Sequence, residues 1–223
     1  MAIRLNQNAI DGIGMTSART RTRLVERLRA QGVKDETVLA VMGQIPRHVF
    51  VDQALAHKAY DDTSLPIGLG QTISQPYIVA RMSELANAVP HHDRVLEIGT
   101  GCGYQTAVLA QLFKTVYSVE RLGGLYKAAR ERLASLGVHN ARLRYMDGSH
   151  GLAEGAPYDA IIITAAAPIT PQDMLPQLAL GGRLIFPVGQ EDQELRMIVA
   201  TLDGLVESRL EKVKFVPLLP GIS

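Results

Sequence analysis

The middle of the chain carries a glycine-rich turn between two apolar runs. The turn contains Gly99, Gly101 and Gly103, and it follows the run Val95-Leu96-Glu97-Ile98. Glycine adopts positive φ angles and lets a ligand lie directly against the backbone. A helix that begins at such a turn offers unpaired N–H groups and the positive end of its dipole. These residues predict a strand, a tight turn and a helix start that together bind a small ligand.

An acidic residue follows the turn at the distance that suits a ribose. Glu120 lies 21 residues after Gly99 and ends a second apolar run, Val116-Tyr117-Ser118-Val119. In nucleotide-binding sheets, an acidic side chain near this offset accepts hydrogen bonds from ribose hydroxyls. The turn and Glu120 together predict a cofactor that contains adenosine.

The glycine spacing and the preceding residue favour one such cofactor. The pattern is G-x-G-x-G, whereas dinucleotide sites use G-x-G-x-x-G to accommodate a pyrophosphate. Glu97 would repel a pyrophosphate but would suit an ammonium group. S-adenosylmethionine carries an ammonium, a sulfonium and a ribose but no phosphate, so it is the favoured cofactor. Nicotinamide or flavin cofactors, and a tight turn without a ligand, stay open as alternatives.

Composition narrows the class of protein. The length of 223 residues predicts a single domain, and a net charge of +1 does not indicate nucleic acid or an anionic membrane as partner. One cysteine excludes an internal disulfide and a multi-cysteine metal site. No run approaches the ~18 apolar residues of a membrane span. We expect a cytoplasmic protein, favoured as a monomer, with no metal, no nucleic-acid partner and no membrane contact.

From residue 91 onward, strand-like and helix-like segments alternate. We predict strands at 94–98, 115–119, 141–145, 158–164 and 183–187, and helices at 104–112, 123–135 and 171–179. The runs 195–202 and 210–217 should pair antiparallel at one edge. The pattern indicates an α/β fold with a doubly wound, mostly parallel, Rossmann-like sheet, in which ligands lie beyond the carboxyl ends of the strands. This geometry predicts a crevice surrounded by Gly99, Glu120, Asp147 and Thr164.

The part of the chain before this sheet is predicted to be helical with one long loop. Helices are expected at 17–31, 35–44 and 77–88. The stretch 59–76 is rich in glycine, proline and small hydroxyl residues, and long irregular segments in compact domains are usually functional. We therefore divide the single domain, 1–223, into an N-terminal extension, a helical and substrate-loop region, and a cofactor-binding sheet, at 1–16, 17–90 and 91–223.

Several motifs taken together resemble one enzyme family. They include Pro46-Arg47-His48-Val49-Phe50-Val51, Leu65-Pro66-Ile67-Gly68, Gln71-Thr72-Ile73-Ser74-Gln75-Pro76, Val95-Leu96-Glu97-Ile98-Gly99-Thr100-Gly101 and Ala165-Ala166-Ala167-Pro168. The glycine motif alone indicates a methyltransferase, and the Thr-Ile-Ser segment is more specific. From residue 17 to residue 219, the chain resembles the protein-L-isoaspartate O-methyltransferases.

The resemblance implies a reaction and the residues that perform it. The methyl group of S-adenosylmethionine would pass to the α-carboxylate of L-isoaspartyl residues in damaged proteins and peptides, which initiates repair through a succinimide. Ser74 matches the catalytic serine, and Thr72, Ile73 and Pro66 belong to the substrate site. The residues matched to cofactor binding are Glu97, Gly99, Thr100, Gly101, Gly103, Glu120, Asp147 and Gly148, with Asp147 facing the adenine amine. Cys102 fills a place that the family usually gives to serine.

The chemistry of this reaction limits what Ser74 must do. A free α-carboxyl group has a pKa near ~3.5, so the nucleophile is already ionised and needs no general base. We expect the Ser74 hydroxyl to orient the carboxylate by a hydrogen bond, since no G-x-S-x-G elbow surrounds it. Two other functions stay open. One is a methyltransferase for a small molecule or RNA, which the apolar sequence at 164–168 disfavours. The other is a cofactor-sensing module that binds a partner through helix 17–31.

Overall fold

The structure is a computed structural model that describes residues 11–223, and it contains five α-helices and nine β-strands there. The helices are α1 (Ala18–Ala30), α2 (Glu36–Gln44), α3 (Pro76–Asn87), α4 (Tyr104–Leu112) and α5 (Gly123–Ser135). The strands are β1 (Leu65–Gly68), β2 (Gln71–Ile73), β3 (Arg94–Ile98), β4 (Thr115–Glu120), β5 (Ala141–Tyr145), β6 (Tyr158–Ile163), β7 (Leu178–Val188), β8 (Gln193–Thr201) and β9 (Gly204–Val213). Short 3-10 turns connect them at Gly14–Thr16, Arg47–Phe50, Gln53–Lys58, Ala153–Gly155 and Gln172–Gln177.

Seven strands form one sheet in the order β5-β4-β3-β6-β7-β8-β9. The pairs from β5 to β7 are all parallel. β8 and β9 follow β7 as successive antiparallel neighbours, so the last three strands lie side by side in chain order. The mostly parallel, Rossmann-like sheet and its antiparallel C-terminal strand pair confirm the predicted fold class.

Both faces of the central strands of the sheet are covered by apolar packing. Every residue of β6 is buried, as expected for a central parallel strand between two layers. Side chains alternate between two clusters: Val95 on β3 packs into one, and its neighbours Leu96 and Ile98 pack into the other. Because both faces are buried, the carboxyl edge of the sheet is the place where strand ends meet solvent and ligands.

Most predicted elements lie where the sequence pattern indicates. α4 and α5 have the bounds predicted for 104–112 and 123–135. α1 and α3 differ from their predictions by one residue at each end, and α2 by one residue at its start. α4 begins directly after Gly103, whose φ of +90° is open to glycine without strain. A side chain at Gly103 would press on Leu133 of α5, so this glycine lets two elements pack closely.

The predicted helix at 171–179 is wrong. Residues Gln172–Gln177 form a 3-10 turn that contains Pro176, and β7 begins at the next residue, Leu178. Proline has no N–H to donate and clashes with the preceding turn, so it prevents an α-helix from continuing here. As a result, β7 is longer than the strand predicted at 183–187.

Two other boundaries also differ from the predictions. The stretch 59–76 is not wholly irregular, because β1 and β2 form a short antiparallel hairpin within it. The strand predicted at 210–217 instead spans Gly204–Val213, and residues 214–217 leave the sheet. These residues are therefore free to cross to the carboxyl edge.

Residues 1–10 of the predicted N-terminal extension lie outside the described part of the chain. Across residues 11–223, no helix combines the length and the apolar character needed to cross a bilayer. Over the same range, histidine, cysteine and acidic side chains form no group of three or more that could hold a metal ion.

Candidate active site

A cleft opens at the carboxyl edge of the parallel strands, and we call it the cofactor cleft. Its walls come from residues 71–74 after the hairpin, 98–102 in the glycine turn, 119–122 at the end of β4, and 216–219 near the C-terminus. The cleft encloses about 870 Å³ of empty space with its open mouth included. A space of this order suits a ligand of nucleoside size.

The glycine turn forms the floor of the cofactor cleft. Gly99 and Gly101 both have positive φ angles and line the cleft. A side chain at Gly99 would collide with Oγ1 of Thr164, which donates a hydrogen bond to the Gly99 carbonyl oxygen at 2.7 Å. Thr100 also lines the cleft, whereas Gly103 does not and serves the packing of α4 on α5. The turn therefore leaves bare backbone where a ligand would lie.

Glu120 stands at the side of the cleft with its carboxylate held by the backbone. It is 5% exposed; its Oε2 accepts from the Gly101 N–H and its Oε1 from the Leu122 N–H, each at 2.8 Å. A carboxylate offers about four acceptor positions, so two backbone bonds leave room for more donors. The geometry suits a pair of ribose hydroxyls at this position.

Glu97 does not line the cleft, contrary to the expectation that it meets a ligand's ammonium group. It is fully buried behind the turn, where Oε2 accepts from Thr106 Oγ1 and Ser118 Oγ at 2.5 Å each. Ser118 Oγ lies 2.6 Å from Thr100 Oγ1, which connects the network to the turn. Burial raises the pKa of Glu97 to about 8, and its Oε1 has no hydrogen-bond partner among residues 11–223. In this arrangement Glu97 holds β3, β4 and α4 together.

The Asp147-Gly148 pair is also divided between two tasks. Gly148 lines the cleft, but the Asp147 carboxylate turns away and accepts from the N–H groups of Ser149 and Gly221 at 2.8 and 2.6 Å. Burial alone would raise the pKa of Asp147, but these backbone donors hold it below its ordinary value. Contact between Asp147 and an adenine amine stays a prediction.

Ser74 lies directly after β2 and lines the cleft. It is half-buried, and its hydroxyl makes no hydrogen bond within residues 11–223. Thr72 and Ile73 line the same wall. Pro66 pairs opposite Thr72 in the hairpin, but it is exposed and does not line the cleft. Ser74 thus presents a free donor to the cleft.

A second concavity joins the cleft at Ser74, and we call it the groove. It shares Thr72, Ser74, Thr164 and Val216 with the cleft, and its other lining residues are Ser64, Gln75, Tyr77, Ile78 and residues 211–215. Within it, the Glu211 carboxylate accepts from the Tyr77 hydroxyl at 2.9 Å and from Arg81 Nε at 3.2 Å. The groove leads from the surface to Ser74 and offers both polar and apolar contacts to an extended chain.

One feature of the site was not anticipated from the sequence. Residues 216–219 form the outer wall of the cleft, where the Val216 carbonyl accepts from Ala166 N and Leu218 N donates to the Ala166 carbonyl, both at 2.8 Å. Pro217 and Pro220 could have indicated that the strand pattern ends before this point.

Cys102 is buried in the turn, and burial raises the pKa of its thiol, which keeps it a small neutral packing residue.

Comparisons with known proteins agree with this geometry. Residues 19–222 match the family model described as protein-L-isoaspartate(D-aspartate) O-methyltransferase. A protein-L-isoaspartate O-methyltransferase from Nitrosomonas eutropha is 57% identical over 212 residues, which cover 94% of this chain and 96% of that protein. One from Methylobacillus flagellatus is 55% identical over 221 residues, covering 97% and 99%.

Solved structures carry the same resemblance. A putative enzyme of this kind from Plasmodium falciparum, solved in complex with S-adenosyl-L-homocysteine, has a TM-score of 0.78 at 26% identity and covers 89% of this chain and 98% of its own. Another protein-L-isoaspartate O-methyltransferase has a TM-score of 0.78 at 28% identity, and the match spans 88% of this chain and 65% of that one.

Proposed function

Since the chain belongs to the protein-L-isoaspartate(D-aspartate) O-methyltransferase family, we propose that its cofactor cleft and its groove bring the two substrates together at Ser74. The enzyme transfers a methyl group from S-adenosylmethionine to L-isoaspartyl residues of damaged proteins as part of their repair. The observation that carries the proposal is the position of Ser74, which lines both the cleft and the groove.

The residues of the cleft fit the cofactor. Glu120 accepts from the ribose hydroxyls with the acceptor positions that Gly101 and Leu122 leave free. Gly99 and Gly101 admit the ligand against bare backbone, since a side chain at Gly99 would fill the space beside Thr164. S-adenosylmethionine supplies, when bound, a methyl group on a positively charged sulfur. Glu97 contributes by holding the turn from behind.

Ser74 positions the substrate carboxylate. An α-carboxyl group is ionised at neutral pH because its pKa lies near ~3.5, so the chain needs no base to activate it. The Ser74 hydroxyl donates one hydrogen bond to this carboxylate and fixes the direction in which its oxygen points. Such positioning can contribute several kcal/mol to the rate of a reaction between two bound partners.

The walls of the cleft keep water from the reacting groups. Methyl transfer combines an anion and a cation into neutral products, so water that stabilises the separated charges slows the step. Thr72 and Ile73 on one side and Leu218 on the other enclose the cleft. The following backbone amide nitrogen then attacks the methyl ester and displaces methanol, which gives a succinimide that water reopens in part to normal aspartate.

The groove receives the protein substrate. An extended peptide lies along residues 211–215 and Tyr77, so that its isoaspartyl residue reaches Ser74.

We place the enzyme in the cytoplasm, because a chain with one cysteine has no internal disulfide to gain from an oxidising compartment. The monomeric state stays a prediction, and so does the lack of nucleic-acid binding that we expect from a net charge of +1.

One assay tests the proposed function. Purified protein is given S-adenosylmethionine with a labelled methyl group, together with a peptide that contains isoaspartate or its twin that contains aspartate. We expect base-labile label on the isoaspartyl peptide alone, because a methyl ester hydrolyses in base. Equal labelling of both peptides would contradict the selectivity, and cofactor binding without any labelling would favour the sensing module over the enzyme.

A further inference from the structure

The C-terminal residues run over the cofactor cleft on the side of Glu120. After leaving β9, the chain pairs with Ala166 through Val216 and Leu218, and residues 216–219 face the cleft. It then continues past β4 to the start of α5. The segment therefore crosses the carboxyl edge of the sheet from the substrate side to the ribose side.

The far end of this segment is fastened to the loop that follows Glu120. Arg121 makes two of the bonds, since its carbonyl oxygen accepts from the Ser223 N–H and its Nε donates to the Gly221 carbonyl oxygen, both at 2.9 Å. The Gly123 N–H, at the start of α5, donates to the Ser223 carbonyl oxygen at 2.7 Å. These bonds hold residues 221–223 beside the carboxylate expected to bind the ribose.

Asp147 provides the remaining fastening. Its Oδ2 accepts from the Gly221 N–H at 2.6 Å, and Gly221 has a φ of +76° that turns the chain toward it. Both backbone polar groups of Gly221 are therefore bonded: Arg121 donates to its carbonyl oxygen, and Asp147 accepts from its N–H. The Asp147 carboxylate and the Arg121 guanidinium both bind Gly221 in an otherwise exposed segment. This indicates that the position of the segment matters.

The segment is kept in place mainly by hydrogen bonds, because little of its surface is buried. Leu219 and Ile222 are 46% and 57% exposed, and residues 219–223 are all exposed. Exposed segments with few buried apolar contacts open at low free-energy cost while the rest of the fold stays intact. Such a segment can open to admit a ligand and close over it.

We infer that residues 216–223 form a strap over the ribose side of the cofactor cleft, with Arg121 and Asp147 as the positioning residues that hold it closed. The inference rests on the proposed cofactor site. The strap slows release of the bound cofactor and of the S-adenosylhomocysteine product. Because it is fastened next to Glu120, occupation of the ribose site stabilises the closed strap.

Hydrogen–deuterium exchange of the unmodified protein tests the strap without any substitution. Exchange is followed in peptides that cover 216–223, the glycine turn at 98–104, and the β8–β9 hairpin at 200–205 as a reference. We expect S-adenosylhomocysteine to slow exchange in the first two regions and leave the hairpin unchanged. Protection of the glycine turn without the strap would overturn this inference and leave the cofactor site intact. Protection of neither would mean that the proposed site itself is misplaced.

Dissociation kinetics test the Arg121 fastening and the strap as a whole. In Arg121→Ala we expect S-adenosylhomocysteine to dissociate about fivefold faster, the order that one lost hydrogen bond gives. In a chain shortened to end at Pro220 dissociation should be faster still, because all four bonds of Gly221 and Ser223 are lost. The association rate should change little. The matched control is Arg209→Ala on β9, an arginine that is 72% exposed and lies outside the cleft. Dissociation at the original rate in both altered proteins, with unchanged melting temperatures, would overturn the strap.

Discussion

Single residues in this site are divided between those that face ligands and those that hold the backbone. Glu120 presents free acceptor positions to the cleft, and Ser74 presents a free donor. The carboxylate of Glu97 instead accepts hydrogen bonds from Thr106 and Ser118. The two glutamates end or nearly end neighbouring strands, yet only one is reachable by a ligand. Both side chains leave the same face of the sheet, but Glu97 pairs in register with Ser118, two residues before Glu120, and Thr106 of α4 covers it there.

Replacing Ser74 by alanine should separate chemistry from cofactor binding. Without the hydroxyl, the substrate carboxylate loses one hydrogen bond, and a charged hydrogen bond of this kind corresponds to about tenfold or more in turnover. The cofactor contacts with Glu120 and the glycine turn remain, so S-adenosylhomocysteine should bind with nearly the same affinity. Steady-state methylation of an isoaspartyl peptide and calorimetric titration measure the two quantities.

Ser208→Ala is the matched control for this experiment, because Ser208 lies on β9 opposite Met197 and outside both the cleft and the groove. It should leave turnover and affinity unchanged. If Ser74→Ala turned over as fast as the control, Ser74 would have no part in the mechanism.

At the scale of elements, the glycine turn is the joint between β3, β4 and α4, and space as well as backbone conformation requires glycine there. Gly99 has a φ of +99° and no room beside Thr164 for a side chain. Gly204 has a φ of +119° in the β8–β9 hairpin but open space around it. A comparison of the two positions separates the cost of a positive φ angle, which both share, from the cost of a steric collision, which only Gly99 has.

Alanine at each position should therefore act differently. Both variants should lose about 1–3 kcal/mol of unfolding free energy to positive-φ strain. Gly99→Ala should lose more and should also weaken S-adenosylhomocysteine binding, because Thr164 or the turn must move into the cleft. Urea denaturation and calorimetric titration give the two readouts. Equal stability loss in both variants, with wild-type affinity at Gly99→Ala, would contradict the role of the turn.

Glu97 should make the stability of this joint depend on pH. Burial raises its pKa from 4.5 to about 8 in the folded protein. Between these values the folded state holds a proton that the unfolded state has released, so stability falls as the pH rises through that range. Glu97→Gln keeps the shape and cannot titrate, so its urea midpoint should decline less between about pH 5 and 8.

Glu131→Gln, on the exposed face of α5, is the control for this pH series and should follow the wild type. Midpoints are compared at constant ionic strength for the three proteins. A decline in Glu97→Gln as steep as that of the wild type would mean that Glu97 is ionised throughout the range.

The same elements show what sequence patterns can predict. Helices α4 and α5 were predictable because Gly103 precedes α4, Gly123 and Gly137 lie at the two ends of α5, and apolar residues recur within both helices. The direction of the Glu97 side chain could not be predicted, since every residue from Val95 to Ile98 is buried and no polar alternation distinguishes the two faces of the strand. The short hairpin β1–β2 escaped prediction because three- and four-residue strands are too brief to show a period. The bond from Asp147 to Gly221 spans 74 positions and has no local signal.

The whole molecule gathers its functional groups at one edge of the sheet. The parallel strands β3, β4 and β6 end there with the glycine turn, Glu120 and Thr164, and the hairpin and the C-terminal residues close the cleft from two sides. The antiparallel order of β7, β8 and β9 directs the chain after Val213 back toward that edge. The site therefore depends on the last residues of the chain as well as on the first strands of the sheet.

Because so many elements meet in the cleft, ligand binding should stabilise the entire fold. At a concentration about 100-fold above its dissociation constant, S-adenosylhomocysteine adds about 2.7 kcal/mol to the unfolding free energy. For a chain of this length, that corresponds to a rise of roughly 5–10 °C in melting temperature. Glu120→Gln at the same ligand concentration should show a smaller rise, since the amide cannot accept from the ribose hydroxyls and the backbone at once. Differential scanning calorimetry of both proteins with and without ligand measures the shifts. An equal rise in the two proteins would show that the ribose is held elsewhere.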